Sequence, residues 1–258
     1  LIDSRPRSLN EHDVQLKHYH LATVLTEEAI LDYQKSLDIA LQNDPESPLL
    51  NALKASGYRT IWHGLFPGFE EAREKISYFA EKAYSLNPNH QAIVTVLGGK
   101  CFDFDERARF FSLYERHGRA LANSPLLMGA WAIYAAYFGK WAMGMQMTHA
   151  VLKNNIDVPA WIHGMPAMNH YRQGNYEDAL IEANKVHIHR LFWGPVIRSS
   201  VLGQLGRLDQ ARKEYQAVLE CRPDFPENGR ILLGRFFKEP DLLDQFCEGL
   251  DKFGVTLA

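Results

Sequence analysis

Residues 173–179 read Gln-Gly-Asn-Tyr-Glu-Asp-Ala, and residues 204–211 read Gln-Leu-Gly-Arg-Leu-Asp-Gln-Ala. Gly206 follows Gly174 by 32 residues, and in each stretch the glycine precedes an alanine by five residues. Glycine adopts the left-handed backbone that ends many helices, and alanine lets the next helix pack closely. A period of about 20–50 residues is typical of a solenoid, and about 34 is the period of a helix–turn–helix repeat. The two stretches therefore predict an all-α array.

Proline residues mark the same period along the chain. Ser-Pro-Leu-Leu occurs at 47–50 and again at 124–127, where the serine is expected to cap a helix that the proline opens. Placing the first helix of each repeat by such marks predicts starts near residues 48, 91, 125, 160, 192 and 226. We expect about six repeats, roughly thirteen helices and no sheet. One domain is predicted, with N-terminal helices over 1–47, repeats over 48–225 and C-terminal capping helices over 226–258.

Three local features refine this frame. The stretch Gly-Leu-Phe-Pro-Gly at 64–68 is expected to lengthen one turn, and Gly98-Gly99 to end a helix. Residues 128–147 are the most apolar part of the chain, but Gly139-Lys140 interrupts them. A membrane-spanning helix needs about 20 predominantly apolar residues, so this part predicts two buried helices.

The composition narrows the class of partner. The 258 residues include 28 Lys and Arg against 31 Asp and Glu, a net charge of −3, and no basic tract stands out. Direct binding of nucleic acid and insertion into a membrane are therefore not expected. The three scattered cysteines (Cys101, Cys221 and Cys247) are expected to be free thiols, which fits the cytoplasm better than a secreted setting. The chain starts without Met and is interpreted as part of a longer protein.

The motifs at Gly174 and Gly206 resemble the tetratricopeptide repeat (TPR), most clearly over 125–223. Residues 246–255, Phe-Cys-Glu-Gly-Leu-Asp-Lys-Phe-Gly-Val, are similar to the C-terminal tail of certain bacterial signalling proteins. In those proteins a TPR array follows a winged-helix transcriptional regulator domain or a class III adenylate cyclase domain. The resemblance implies a right-handed TPR-like α-solenoid whose first helices line a concave groove. It also implies a cytoplasmic location, or a periplasmic one where a membrane-spanning helix lies upstream.

The repeat alignment predicts which residues face this groove. Trp161 and Trp193 occupy equivalent positions near the starts of their first helices. Groove binding uses aromatic and arginine anchors with polar neighbours. The residues expected to contact a ligand or partner are Tyr137, Trp161, Met168, Tyr171, Arg172, Trp193, Ser200 and Gln204. The alternative is that both tryptophans pack between repeats as core.

Candidate metal ligands and catalytic groups do not combine into a site. Four histidines lie in adjacent repeats: His163, His170, His187 and His189. His163 and His170 are two helical turns apart, about 10 Å along a regular helix, so they cannot both bind one ion. The pair His18 and His20 is interpreted in the same way, as polar or partly buried histidines. The acidic residues Asp103, Asp105 and Glu106 are interpreted as acids at a helix N-terminus. No metal, no cofactor and no enzymatic activity are expected.

Three functions follow from these features. The first is a non-catalytic interaction or sensory module that binds a protein segment, a peptide or a small-molecule effector and changes the activity of an output domain. The second is homodimerisation of the parent protein through Leu242, Leu243, Phe246 and Leu250, which otherwise cap the last repeat. The third is a metal-dependent hydrolase built on the histidines.

Overall fold

The computed structural model describes residues 13–14, 16–18, 26–154, 158–187 and 191–258. From residue 26 onward the described residues form thirteen α-helices and one short 3₁₀-helix, without a strand. They divide into two compact units, residues 1–120 and 121–258. The helices of the first unit are α1 (Glu27–Asn43), α2 (Pro48–Gly64), α3 (Phe69–Leu86), α4 (Gln91–Asp103) and α5 (Arg107–Leu121).

The second unit contains the remaining helices. They are α6 (Pro125–Tyr137), α7 (Trp141–Asn154), the 3₁₀-helix (Ala160–His163), α8 (Gly164–Arg172), α9 (Tyr176–Ala183), α10 (Trp193–Gln204), α11 (Leu208–Cys221), α12 (Phe225–Gly234) and α13 (Pro240–Asp251). The predicted helix starts agree with these bounds to within one residue, except that the fourth begins as the 3₁₀-helix before α8. Among the helices of the described residues, none is long and apolar enough to cross a membrane.

Serine caps and left-handed glycines set the repeat, as the sequence predicts. The Ser47 Oγ accepts from the Leu50 N–H at 3.2 Å, and the Ser124 Oγ accepts from the Leu127 N–H at 3.5 Å. Gly174 and Gly206 adopt φ angles of 77° and 71°, in the left-handed region. Each of these turns is closed by a hydrogen bond that spans five residues, from the backbone N–H just after the glycine to a carbonyl of the preceding helix.

The long turn and the interrupted apolar stretch also match the predictions. Residues 65–68 separate α2 from α3, and Leu65 adopts a left-handed φ of 52°. Residues 128–147 form parts of α6 and α7, which pack against each other around a turn at Gly139 with φ 86°. Antiparallel neighbours pack in the same way in the pairs α2–α3, α8–α9 and α10–α11. This is the helix–turn–helix packing of a TPR-like solenoid.

The expectation that Gly98-Gly99 ends a helix is wrong. Both glycines lie inside α4, which continues to Asp103. A Cβ atom at Gly99 would overlap the guanidinium group of Arg59, so the missing side chain makes room for this arginine on the surface of α4. Close approach of another group is the second structural reason for a glycine, and the sequence does not distinguish it from a helix end.

The last helix departs from the repeat. In the TPR-like pairs, the second helix packs against the first helix of its own repeat. Helix α13 instead packs mainly against α10 and makes fewer contacts with α12, the helix that precedes it. The C-terminal helices thus fold back onto an earlier repeat within the second unit.

Close packing at Gly144 is testable. A Cβ atom at this position would lie 2.6 Å from the carbonyl oxygen of Ala132, a backbone atom that cannot rotate away. We expect Gly144→Ala to lower the free energy of unfolding by about 1–3 kcal/mol because α6 and α7 must separate. Urea unfolding monitored by circular dichroism measures the change.

Gly164→Ala is the matched control, since a Cβ atom there meets nothing within 4 Å. It should leave the unfolding midpoint almost unchanged. Equal midpoints for the two variants would show that α6 and α7 do not need glycine at their contact.

Candidate functional site

The eight residues predicted to face the groove all lie in the second unit, on the first helices of three repeats. Their exposure differs. Arg172 is exposed, and Trp161, Trp193 and Gln204 are half-buried. The other four are buried: Tyr137, Met168, Tyr171 and Ser200. We refer to the side of α6, α8 and α10 that carries Tyr137, Tyr171, Ser200 and Gln204 as the groove face.

Tyr171, Ser200 and Gln204 converge on the backbone of α13. The Tyr171 hydroxyl and the Gln204 Nε2 donate to the carbonyl oxygen of Gln245, at 2.8 and 3.1 Å. The Ser200 Oγ donates to the carbonyl oxygen of Phe246 at 2.8 Å, and the Tyr171 and Ser200 hydroxyl oxygens are themselves 2.8 Å apart. Each helix carbonyl has a second lone pair beside the one used within the helix, and the Tyr171 hydroxyl and the Gln204 amide share that of Gln245.

The side chain of Gln245 completes this hydrogen-bond network. Its Nε2 donates to the backbone carbonyl of Tyr171 at 3.3 Å and to the Tyr176 hydroxyl at 3.2 Å. Burial raises the pKa of Tyr171 above its ordinary value, although hydrogen bonds with Ser200 and Gln204 oppose the shift. The phenol therefore stays protonated at neutral pH and can act as a donor to Gln245.

Two glycines bring the backbones of α10 and α13 into contact. A Cβ atom at Gly203 would overlap the carbonyl oxygen of Gly249. A Cβ atom at Gly249 would lie 2.6 Å from the carbonyl oxygen of Ser200 and 2.8 Å from the Tyr171 hydroxyl. Neither position has space for a side chain while α13 is in place, so this contact depends on glycine in both helices.

Aromatic rings continue the contact toward α6. The ring centroid of Phe237 lies 5.3 Å from that of Tyr137 and 5.2 Å from that of Phe246. The Phe236 ring makes an edge contact with Trp193 at 4.8 Å between centroids. Edge-to-face pairs of this kind add stability beyond the area that they bury. Beside them, the indole Nε1 of Trp141 donates to Glu239 Oε2 at 2.7 Å.

The groove face is thus covered by the chain's own residues 236–253, which we refer to as the C-terminal segment. Arg172 lies outside this contact, with its guanidinium carbon 4.7 Å from the centroid of the Trp141 ring. The segment contains the four residues considered for dimerisation. Of these, Leu242, Phe246 and Leu250 are buried against the chain's own helices, and Leu243 is half-buried.

Of the four histidines in adjacent repeats, His163 has a structural partner. His163 Nδ1 is 3.3 Å from Glu182 Oε2, and Lys185 also pairs with that carboxylate. His20 and His189 lie outside the described residues. Within the described ranges, no three histidine, cysteine, aspartate or glutamate side chains are grouped so that they could hold a metal ion.

The interpretation of Asp103 as an acid at a helix N-terminus is wrong. Asp103 is the last residue of α4, and its carboxylate is fully buried. It accepts from Arg59 Nε at 2.6 Å and lies 2.9 Å from His63 Nε2, so it joins α4 to α2. Burial alone would raise the pKa of Asp103, but the charges of Arg59 and His63 outweigh it and hold the pKa well below its ordinary value.

The neighbouring acids also pair with cations. Asp105 Oδ1 is 2.8 Å from Arg107 Nε, and the Glu106 carboxylate pairs with Lys100. Sequence reasoning missed Arg59 and His63 because they lie about 40 residues before Asp103, without a motif that links them. It also missed Gln245, whose role depends on how α13 folds back.

The fold resembles that of a solved structure. A crystal structure of a tetratricopeptide repeat protein from Parabacteroides merdae matches with a TM-score of 0.52 over 95% of this chain and 93% of that chain, at 14% sequence identity. No protein-family model matches the chain, and no curated protein matches it. At this identity the likeness concerns the fold alone, and it confirms the prediction of an all-α, TPR-like α-solenoid.

Replacing Asp103 tests the buried ion cluster of the first unit. Asp103→Asn leaves the Arg59 guanidinium without a compensating charge and removes the carboxylate partner of His63, so we expect the free energy of unfolding at pH 7 to fall by about 3 kcal/mol. The folded pKa lies below the ordinary value of about 4, so the carboxylate's contribution is complete above pH 4 and is lost as pH falls toward the folded pKa. The difference between wild type and variant should therefore shrink on acidification, measured by urea unfolding between about pH 3 and 7.

Asp209→Asn is the control, because Asp209 is fully exposed and pairs with Arg212 at the surface. It should change stability little at any pH. A difference for Asp103→Asn that is constant with pH would show that its carboxylate is not held ionised by these partners.

Proposed function

We propose that this chain is a non-catalytic protein-interaction module that binds a peptide or protein segment on the groove face. The observation that carries the proposal is the helix bound there: Tyr171, Ser200 and Gln204 donate to main-chain carbonyls of α13. Every helix presents such carbonyls, so a face whose donors reach them is suited to helical ligands. The TPR-like fold supports the same function, since stacked helix pairs build extended binding surfaces.

The residues predicted as binding anchors divide into two groups under this proposal. Arg172, Trp161 and Trp193 have accessible surface and would contact a partner directly. Tyr171, Ser200 and Gln204 would donate to main-chain carbonyls of the partner as they do to those of α13, and Tyr137 and Met168 are buried. The Arg172 guanidinium, held over the Trp141 ring, favours a partner that brings a carboxylate to this point.

The signalling context is a further part of the proposal. It is supported by the similarity of residues 246–255 to the tails of bacterial signalling proteins in which a winged-helix or adenylate cyclase domain precedes the array. In that setting, partner binding would change small angles between neighbouring repeats and so alter the output domain, with the module in the cytoplasm. A small-molecule effector and a homodimer are the alternatives. Thermal-shift screening with metabolites and light scattering of the purified chain distinguish them.

Selection from a displayed library of helical peptides, about 20 residues long, tests the function. The selected peptides should bind the purified chain, and Arg172→Ala should weaken them about tenfold, since an anchor arginine contributes about 1–2 kcal/mol. Fluorescence anisotropy with the selected peptides measures the dissociation constants.

Arg212→Ala is the matched control, because Arg212 is an exposed arginine on α11 that pairs with the exposed side chain of Asp209. It should leave peptide binding unchanged. If the selected peptides bind the Arg172→Ala and Arg212→Ala chains equally well, Arg172 does not anchor them and the proposed function is contradicted.

A further inference from the structure

The contacts that hold α13 are of two kinds, and the first does not depend on its sequence. The hydroxyl and amide donors of Tyr171, Ser200 and Gln204 reach carbonyl oxygens in the middle of α13. Those acceptors belong to the main chain, and any helix placed there would present them. At this point the groove face therefore binds main-chain carbonyl oxygens, which any helix presents.

The second kind of contact does depend on sequence. Gly249 is required because any side chain there would meet Ser200 and Tyr171. Phe246, one turn earlier, is fully buried, with its ring centroid 5.5 Å from that of Tyr171 on the groove face. An aromatic residue followed three positions later by a glycine is thus the pattern that the groove face selects, because these positions share one side of a helix.

Helix α13 contacts the rest of the second unit less extensively than it contacts the groove face. Helix α13 packs more extensively on α10 than on α12. Its ion pair to α12, between Arg230 and Asp244, joins two exposed side chains, and such pairs contribute little to stability. The outward side of α13 is acidic, with Asp241, Asp244, Glu248 and Asp251 all exposed. The helix is therefore held mainly by the groove face, with smaller contacts of Leu243 beside Gly234 and of Phe253 with Tyr215.

We propose that α13 is an internal ligand of the groove face, and that the same face binds in its place a partner helix with the aromatic-x-x-glycine pattern of Phe246 and Gly249. The inference rests on the proposed function and names its partner class. A tethered helix has an effective concentration in about the millimolar range, so a partner binds well only when α13 is weakened or when the partner fits better. The C-terminal helix thereby sets the affinity that a partner needs in order to occupy the groove face.

A peptide competition tests the proposal. The probe is a fluorescein-labelled synthetic peptide of residues 235–253, and the partner is the full chain carrying Gly249→Ala. In that variant the added Cβ atom of α13 meets Ser200 and Tyr171, so the resident helix is weakened while the groove face is unchanged. The variant should bind the peptide at least tenfold more tightly than the wild-type chain in fluorescence anisotropy. A peptide that itself carries Gly249→Ala should lose at least tenfold in affinity.

Gly164→Ala is the control chain, since its added Cβ atom meets nothing and α13 stays seated. It should bind the peptide as the wild type does. Equal affinity of the wild-type and Gly249→Ala chains for the peptide, with both chains folded by circular dichroism, would overturn the proposal. A dimer of the variant that excludes the peptide would make a second copy the occupant and would overturn it as well.

A measurement on the wild-type chain keeps the proposal testable even if Gly249→Ala unfolds the chain. In a ¹⁵N-labelled wild-type chain, an excess of the unlabelled peptide of residues 235–253 should displace the resident helix, so the amides of α13 should exchange faster while those of α6, α8 and α10 stay protected. Unchanged exchange of the α13 amides in excess peptide would overturn the internal-ligand proposal. By contrast, if Arg172→Ala did not weaken binding of the library peptides, the proposed function would be contradicted.

Discussion

The structure of the second unit depends on the contact between Gly203 and Gly249, where the backbones of α10 and α13 touch without an intervening side chain. Only at this separation can the hydroxyls of Tyr171 and Ser200 reach carbonyls inside α13. Moving the helices apart by the width of one methyl group would leave at least one buried hydroxyl without an acceptor, because the two hydroxyls share only one hydrogen bond between them, and an unmade buried bond costs more than the bond contributes. The glycine contact and the hydrogen bonds therefore require each other.

Within each unit, a different kind of interaction connects the first helices of the repeats to their neighbours. In the first unit, the buried carboxylate of Asp103 on α4 pairs with Arg59 and His63 on α2, and Gly99 provides the space for Arg59. In the second unit, neutral hydroxyls and amides connect α8 and α10 to the last helix. The charge cluster fails when one partner is removed because a charge is then left buried without its partner, whereas separation of the neutral network leaves no charge buried. The neutral network is the better suited of the two to a surface that exchanges one helix for another.

Much of the fold could be predicted because its signals are local. Ser47 and Ser124 cap helices whatever else the chain does, and Gly174 and Gly206 turn the backbone left-handed where an ordinary residue would be strained. The same reasoning fails at Gly98-Gly99 and at Asp103. At Gly99 and Asp103 the residue type is explained by contact with Arg59, which lies on another helix. The residues next to these positions in the sequence do not predict that contact.

By itself, the sequence determined the helical period, the starts of the first helices and the helices on which the groove residues lie, since capping, turn conformation and small-residue packing act within a few positions along the chain. Only the tertiary structure decided what those groove residues contact. The fold-back of α13 onto α10 pairs residues 41 to 74 positions apart, such as Gln204 and Tyr171 with Gln245. No period or motif carries information over that distance, because the pairing follows from how the last helix packs rather than from any local preference.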